Sequence, residues 1–219
     1  MLIKAETFRE GDILILNNTK TGICSSAIRT FTGQPYTHTA FVIGKVKDQV
    51  SIFEANLVTT IRPLQQIFDD KSIEFEIYRP RYLGRPFILS RFIKTLYIKY
   101  AGKEYGFLKI LWFGYKRVAE LLGYDVRKQK NWFSQGEICS EIVYRYLLIW
   151  VYKALHCKSI NNKVALALKN KLEQWNENTV SPGDISAILQ SQPKLFRLIT
   201  ERKLQIRQQK QTTAEIIIL

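Results

Sequence analysis

Cys139 lies in Gln135-Gly136-Glu137-Ile138-Cys139-Ser140-Glu141-Ile142-Val143, where a glycine-containing loop runs straight into an apolar helical pattern. A thiol in the first turn of a helix feels the partial positive charge of the helix N-terminus, which favours the nucleophilic thiolate. The N–H groups of that turn can also hold an oxyanion. Cys24 and Cys157 have no comparable setting. A nucleophile of this kind needs a base, and two histidines make the search short. His38 opens a strand-like segment behind Tyr36 and Thr37, and is taken as the base. His156 follows a helical run beside Cys157, where a cation is mildly favourable, and is read as structural. Distance along the chain is no obstacle, because triad members meet in space. Glu54 is the third candidate. It sits in the apolar run 50–55, on a strand expected to hairpin back against His38, and an acid there is costly unless paired. Such a carboxylate would fix the tautomer and orientation of the imidazole. Counting from a turn at 47–48 sets Glu54 opposite 40–42, so a small register shift or bulge is expected if it is to reach His38.

These residues must be positioned by two unlike parts of the chain. Residues 13–16, 38–44, 50–55, 58–61 and 74–79 read as strands, with one short helix at 25–32 capped by Thr21 or Ser25 and stopped by Gly33. Pro63-Leu64 reads as a break. After Pro80 helices take over. Residues 87–100 form an amphipathic pattern, and 107–122 are so apolar that cover on more than one side is expected. Residues 125–137 read as a polar loop, followed by helices from Cys139 through at least 149, over 163–175, and from Ser181-Pro182-Gly183-Asp184. Residues 196–199 read as a returning strand, and 201–213 as a solvated helix or tail.

The chain has 219 residues, 46% of them apolar and 24% charged, which fits one folded domain of ordinary composition. Residues 1–80 hold nine basic and nine acidic side chains, so the whole net charge of +14 falls on 81–219. A field of that sign favours anionic partners. Three irregularly spaced cysteines make no disulfide framework, and no CxxC or Cys/His cluster with zinc spacing occurs. No secretory signal or membrane-spanning run is read from the sequence, so a cytoplasmic protein with reduced thiols is expected, peripheral to a membrane if anything.

Gly11-Asp12-Ile13-Leu14, Tyr36-Thr37-His38-Thr39-Ala40, Phe53-Glu54-Ala55 and Cys139-Ser140-Glu141-Ile142-Val143, in that order, resemble the permuted branch of the NlpC-type, papain-like superfamily, and within it the YiiX/YebB-like members. Ser181-Pro182-Gly183-Asp184-Ile185 is similar to a C-terminal segment of that family. The resemblance covers most of residues 10–190. It implies an α+β, circularly permuted papain-like fold with a small antiparallel sheet packed on several helices. It further implies a single catalytic domain over 1–200, with 201–219 left as a polar tail.

The resemblance also implies a reaction class, attack on an amide or ester carbonyl through a thioester. Carried over by position, Cys139 is the nucleophile, His38 the base and then acid, and Glu54 the orienting residue; Tyr36 contributes its hydroxyl to the oxyanion site. No cofactor or metal is required. Substrates of the superfamily include peptides, peptidoglycan and lipids. The basic and aromatic character of 87–100 and 107–115 suits an anionic membrane surface. No nucleic-acid motif occurs, so specific nucleic-acid binding is not expected. The competing expectation is a non-catalytic binder of the same fold, for anionic lipid or nucleic acid.

Overall fold

The computed structural model describes residues 4–19, 22–56, 58–81, 86–126, 129, 136–156 and 162–202. Six strands form one antiparallel sheet: β1 (Ile13–Asn18), β2 (His38–Val46), β3 (Gln49–Ala55), β4 (Thr59–Pro63), β5 (Ile73–Pro80) and β6 (Phe196–Arg202), in the order β4-β3-β2-β1-β5-β6. Among the described residues seven helices accompany it: α1 (Ile23–Thr32), α2 (Gln65–Asp69), α3 (Pro86–Tyr100), α4 (Lys109–Leu121), α5 (Cys139–His156), α6 (Asn162–Leu172) and α7 (Pro182–Gln190). The expected α+β class is therefore observed.

Alternation along the strands sorts the apolar side chains onto two faces. Ile13, Ile15, Phe41 and Phe53 meet α5, α6 and α7 in the main core, while Leu14, Leu16, Val42 and Ile52 meet Phe8, Leu64 and Ile67 on the other face. A third cluster joins α1 to α4 through Ile28, Ile110, Trp112, Phe113 and Ile138. The β2–β3 turn falls on Lys47 and Asp48, both at positive φ (49° and 63°), the conformation that a two-residue hairpin loop of matching twist requires.

Two of the sequence motifs prove to be anchors. Asp12, 1% exposed, takes Arg79 in a paired contact at 2.8 and 2.7 Å, and Tyr146 on α5 donates to the Gly11 carbonyl at 3.0 Å. Ser181 and Asp184 cap α7 reciprocally, and Lys116 reaches Asp184 at 2.7 Å.

Several boundaries differ from expectation. α1 starts after Gly22 with no side-chain cap, although Gly33 ends it in the left-handed region as expected. Pro63 ends a strand instead of breaking one, because β4 pairs only with β3 and Pro lacks an N–H only on that exposed edge. α2 was not anticipated, being a single short turn of helix. β6 carries Glu201 and Arg202 into the sheet, where the Arg202 guanidinium donates to the Ile67, Phe68, Asp70 and Ile73 carbonyls. The rest of the expected tail, Cys157, and most of the loop at 125–137 lie outside the described residues. α4 also departs from the reading of cover on several sides. Its Lys109, Trp112, Phe113 and Lys116 face is buried, and the opposite face is open.

Candidate active site

Cys139 is the first residue of α5 and is 2% exposed. The first intrahelical bond runs from the Ile142 N–H to the Ile138 carbonyl, so the N–H groups of 139–141 belong to the helix start that has no carbonyl of its own turn to bond. The approach to the helix is fixed by Gly136. Its φ is +74°, and a Cβ there would lie 2.7 Å from the backbone of Gly106, a distance real side chains do not tolerate. That close passage lets Tyr105 bridge to Glu137 in parallel, with the Gly106 N–H bonded to the Glu137 carbonyl at 3.0 Å. Tyr105 is thereby held against Cys139.

His38 begins β2, opposite Leu16 of β1, and its side chain is 17% exposed. Its Nε2 lies 2.7 Å from Oε2 of Glu54. The expected register shift proves unnecessary. Glu54 pairs with Ala40, and His38 lies two residues along the same face, a diagonal neighbour that two long side chains span. A shift does occur in this pair, but between Val42 and Gly44, at the far end. Glu54 is 1% exposed and also pairs with Arg62 on β4 through both carboxylate oxygens.

The electrostatics follow from burial and neighbours. Burial alone would lower the His38 pKa, but the charge and hydrogen bonding of Cys139, then of Glu54, outweigh it and raise it to about 10. Burial would raise the Cys139 thiol. His38 opposes this most strongly, helped by the Thr39 N–H and hydroxyl, and the thiol ends lowered. Burial likewise pushes against the charged form of Glu54, but His38 and Arg62 keep it lowered. Each group favours the charged form of the next, which is the condition for a thiolate–imidazolium pair. With Nε2 on Glu54, Nδ1 is the ring nitrogen left for the sulfur.

Beneath the pair, Lys109 of α4 bonds both oxygens of Glu141 at 2.8 Å, with exposures of 2% and 0%. Glu141 also accepts the Ile138 N–H at 3.1 Å, which ties it to the residue before Cys139. Burial raises its carboxyl to about 7 against the pull of Lys109. Ser140 donates to the Val180 carbonyl at 2.5 Å. The turn that carries the thiol is therefore held on two sides.

Of the residues expected from the sequence, Cys139, His38 and Glu54 come together. Tyr36 goes elsewhere: its hydroxyl donates to Glu76 at 2.9 Å, a carboxylate that Tyr78 also reaches at 2.8 Å. The tyrosine at the thiol is Tyr105, which sequence reasoning missed. Its hydroxyl is raised well above the ordinary range by burial first, then by Cys139, Cys24 and Glu141. Thr39 and Lys109 were missed as well. His156 is exposed at the end of α5, away from this cluster. A cleft of about 160 Å³ opens beside the pair, lined by His38, Arg62, Asn56, Cys24, Tyr105 and Phe107 among others.

No protein-family model matches the chain, and no curated protein does. Among solved structures it is similar to that of metalloprotein yiiX from Escherichia coli O157:H7, described as DUF1105. The likeness has 16% identity, covers 90% of this chain and 98% of that one, and has a TM-score of 0.49. Function rests on the residues above and not on a likeness of this degree.

Proposed function

We propose that this chain is a cysteine hydrolase or acyltransferase of the circularly permuted papain-like kind, with Cys139 as nucleophile. The observation that supports this best is a buried carboxylate 2.7 Å from His38, with a thiol at a helix start whose charged form His38 favours. The chain order, His38 and Glu54 before Cys139, is the reverse of ordinary papain-like enzymes and matches the permuted arrangement.

The Cys139 thiolate attacks the acyl carbon of an amide or ester, and the carbonyl electrons move onto oxygen. First-turn N–H groups of α5 and the Tyr105 hydroxyl are the donors for that oxyanion. When it collapses, the leaving amine or alkoxide takes the proton of the His38 imidazolium, and a thioester remains. His38, neutral again, removes a proton from water or a second acceptor, which attacks the thioester and releases the thiolate. Glu54 holds Nε2 through the cycle and stabilises the imidazolium.

The name metalloprotein attached to yiiX raises the question of a metal here. The donor set does not fit one. Cys139 and His38 supply two ligands, the oxygens of Glu54 are committed to His38 and the Arg62 cation, and no group of three metal-ligating side chains occurs among the described residues. No step is derived through a metal.

Iodoacetamide labelling of Cys24, Cys139 and Cys157 across pH tests the pair. Cys139 is expected to react fastest below pH 7, where an ordinary thiol of pKa about 8.5 is protonated, and to lose that advantage in His38→Ala. Equal, slow labelling of all three cysteines would overturn the assignment.

A further inference from the structure

The open face of α4 is the largest feature that the proposed chemistry leaves unused. Half of the exposed large hydrophobic side chains among the described residues, eight of sixteen, fall between Phe107 and Tyr124. Leu108, Leu111, Tyr115, Val118 and Leu122, exposed by 58, 49, 38, 58 and 69%, follow one another at intervals of three and four. That spacing makes one continuous stripe along the helix. The charges of α4 avoid it. Lys109 and Lys116 are turned inward onto Glu141 and Asp184. α3, by contrast, buries its own apolar side, Ile93, Leu96 and Tyr100.

We infer that this stripe docks on a bilayer surface rich in anionic phospholipid. Charge decides the occupant. The chain carries +14, all of it from residues 81–219, and the segment directly after α4 reads Arg127-Lys128-Gln129-Lys130. Gln129 accepts a hydrogen bond from Tyr115, within the stripe, at 3.2 Å. An apolar stripe within a part of the chain that carries all of the net positive charge is the combination that lets an amphipathic helix lie in the headgroup region. A second copy would instead bring two strongly cationic surfaces together. No helix among the described residues is long and apolar enough to cross a membrane, so the helix lies on the surface and does not span it. Phe107, at the head of the stripe, also lines the cleft beside His38, which places the docked face next to that opening.

The test uses the full chain carrying Cys139→Ala, so that its outcome is independent of thiol chemistry. Sedimentation is measured with vesicles of phosphatidylcholine alone and of phosphatidylcholine with phosphatidylserine. Binding to the anionic vesicles is expected, falling as salt rises. Leu111→Ser with Leu122→Ser, both at exposed positions, should weaken it by about tenfold or more with unchanged circular dichroism. Absent binding to anionic vesicles, or binding that survives the double substitution, would overturn the inference. So would a dimer in sedimentation velocity that the same substitutions dissolve, since a second copy would then cover the face.

Discussion

Glu54 and Glu141 are both shut off from solvent and both hold a cation, yet they stand in opposite relations to Cys139. Glu54 is paired with a histidine that lines a cleft and is able to titrate, and it shares itself with Arg62. Glu141 is sealed against a single lysine that is itself 2% exposed, and its second contact is the backbone just before the thiol. Burial of a carboxylate therefore says little on its own. What separates an orienting group from a fastening one is whether its partner can titrate and meet solvent. The first arrangement can take part in proton transfer, and the second fixes where the helix starts.

The sharpest break between the two concerns Cys139→Ala, which should cut turnover of an acyl substrate by about a thousandfold or more with little change in thermal stability. Activity retained in that variant would remove the role of Glu54 along with the nucleophile. Glu141→Gln should act on stability instead. It strands Lys109 in the interior and costs about 3–5 kcal/mol in urea unfolding, much of which Lys109→Met with Glu141→Leu should restore. A variant as stable as the parent would show that the sealed pair fastens nothing.

Glu54→Gln should leave labelling at high pH nearly unchanged but raise the apparent pKa of the thiol by about one unit, slowing labelling at pH 6 roughly tenfold. The pH profile of the parent carries the same logic. His38 is raised to about 10 and Cys139 is lowered, so the charged pair spans the interval between them. Turnover should fall on the acid side as the thiolate is protonated, and above about pH 10 as the imidazolium is lost. The stabilisation His38 gives the fold has the matching sign, complete below its ordinary value near 6.5 and lost as pH rises through about 10. The smallest contrast is between two tyrosines. Tyr105→Phe should slow turnover by up to about tenfold, whereas Tyr36→Phe should leave it unchanged. Equal effects would erase the distinction between the hydroxyl at the thiol and the one on Glu76.

How legible each part was depended on how local its cause was. Cys139 and His38 stood out because they are rare residue types at element starts, and Glu54 because an acid inside an apolar strand demands a partner. The strands and α5 followed from period and turn chemistry. Tyr105 could not be read in the same way, because its place depends on two backbones touching at Gly106 and Gly136, thirty residues apart. Tyr36 lies two residues before His38, and that nearness misleads, since its hydroxyl is drawn to Glu76 on β5. The apolar run of α4 suggested enclosure; hydropathy counts apolar side chains but does not show whether another element exists to cover them.

The two halves of the proposed catalytic pair also differ in how far the chain must travel to make them. His38 and Glu54 belong to one hairpin, closed by a two-residue turn, while the sulfur arrives on a helix about a hundred residues later. Contacts that close short loops form ahead of those that close long ones. A chain whose hairpin has formed but whose α5 has not yet docked holds a complete imidazole–carboxylate pair and an ordinary, unreactive thiol. Rapid alkylation of Cys139 at low pH would then mark the moment of docking, which makes that thiol a clock for the last stage of folding.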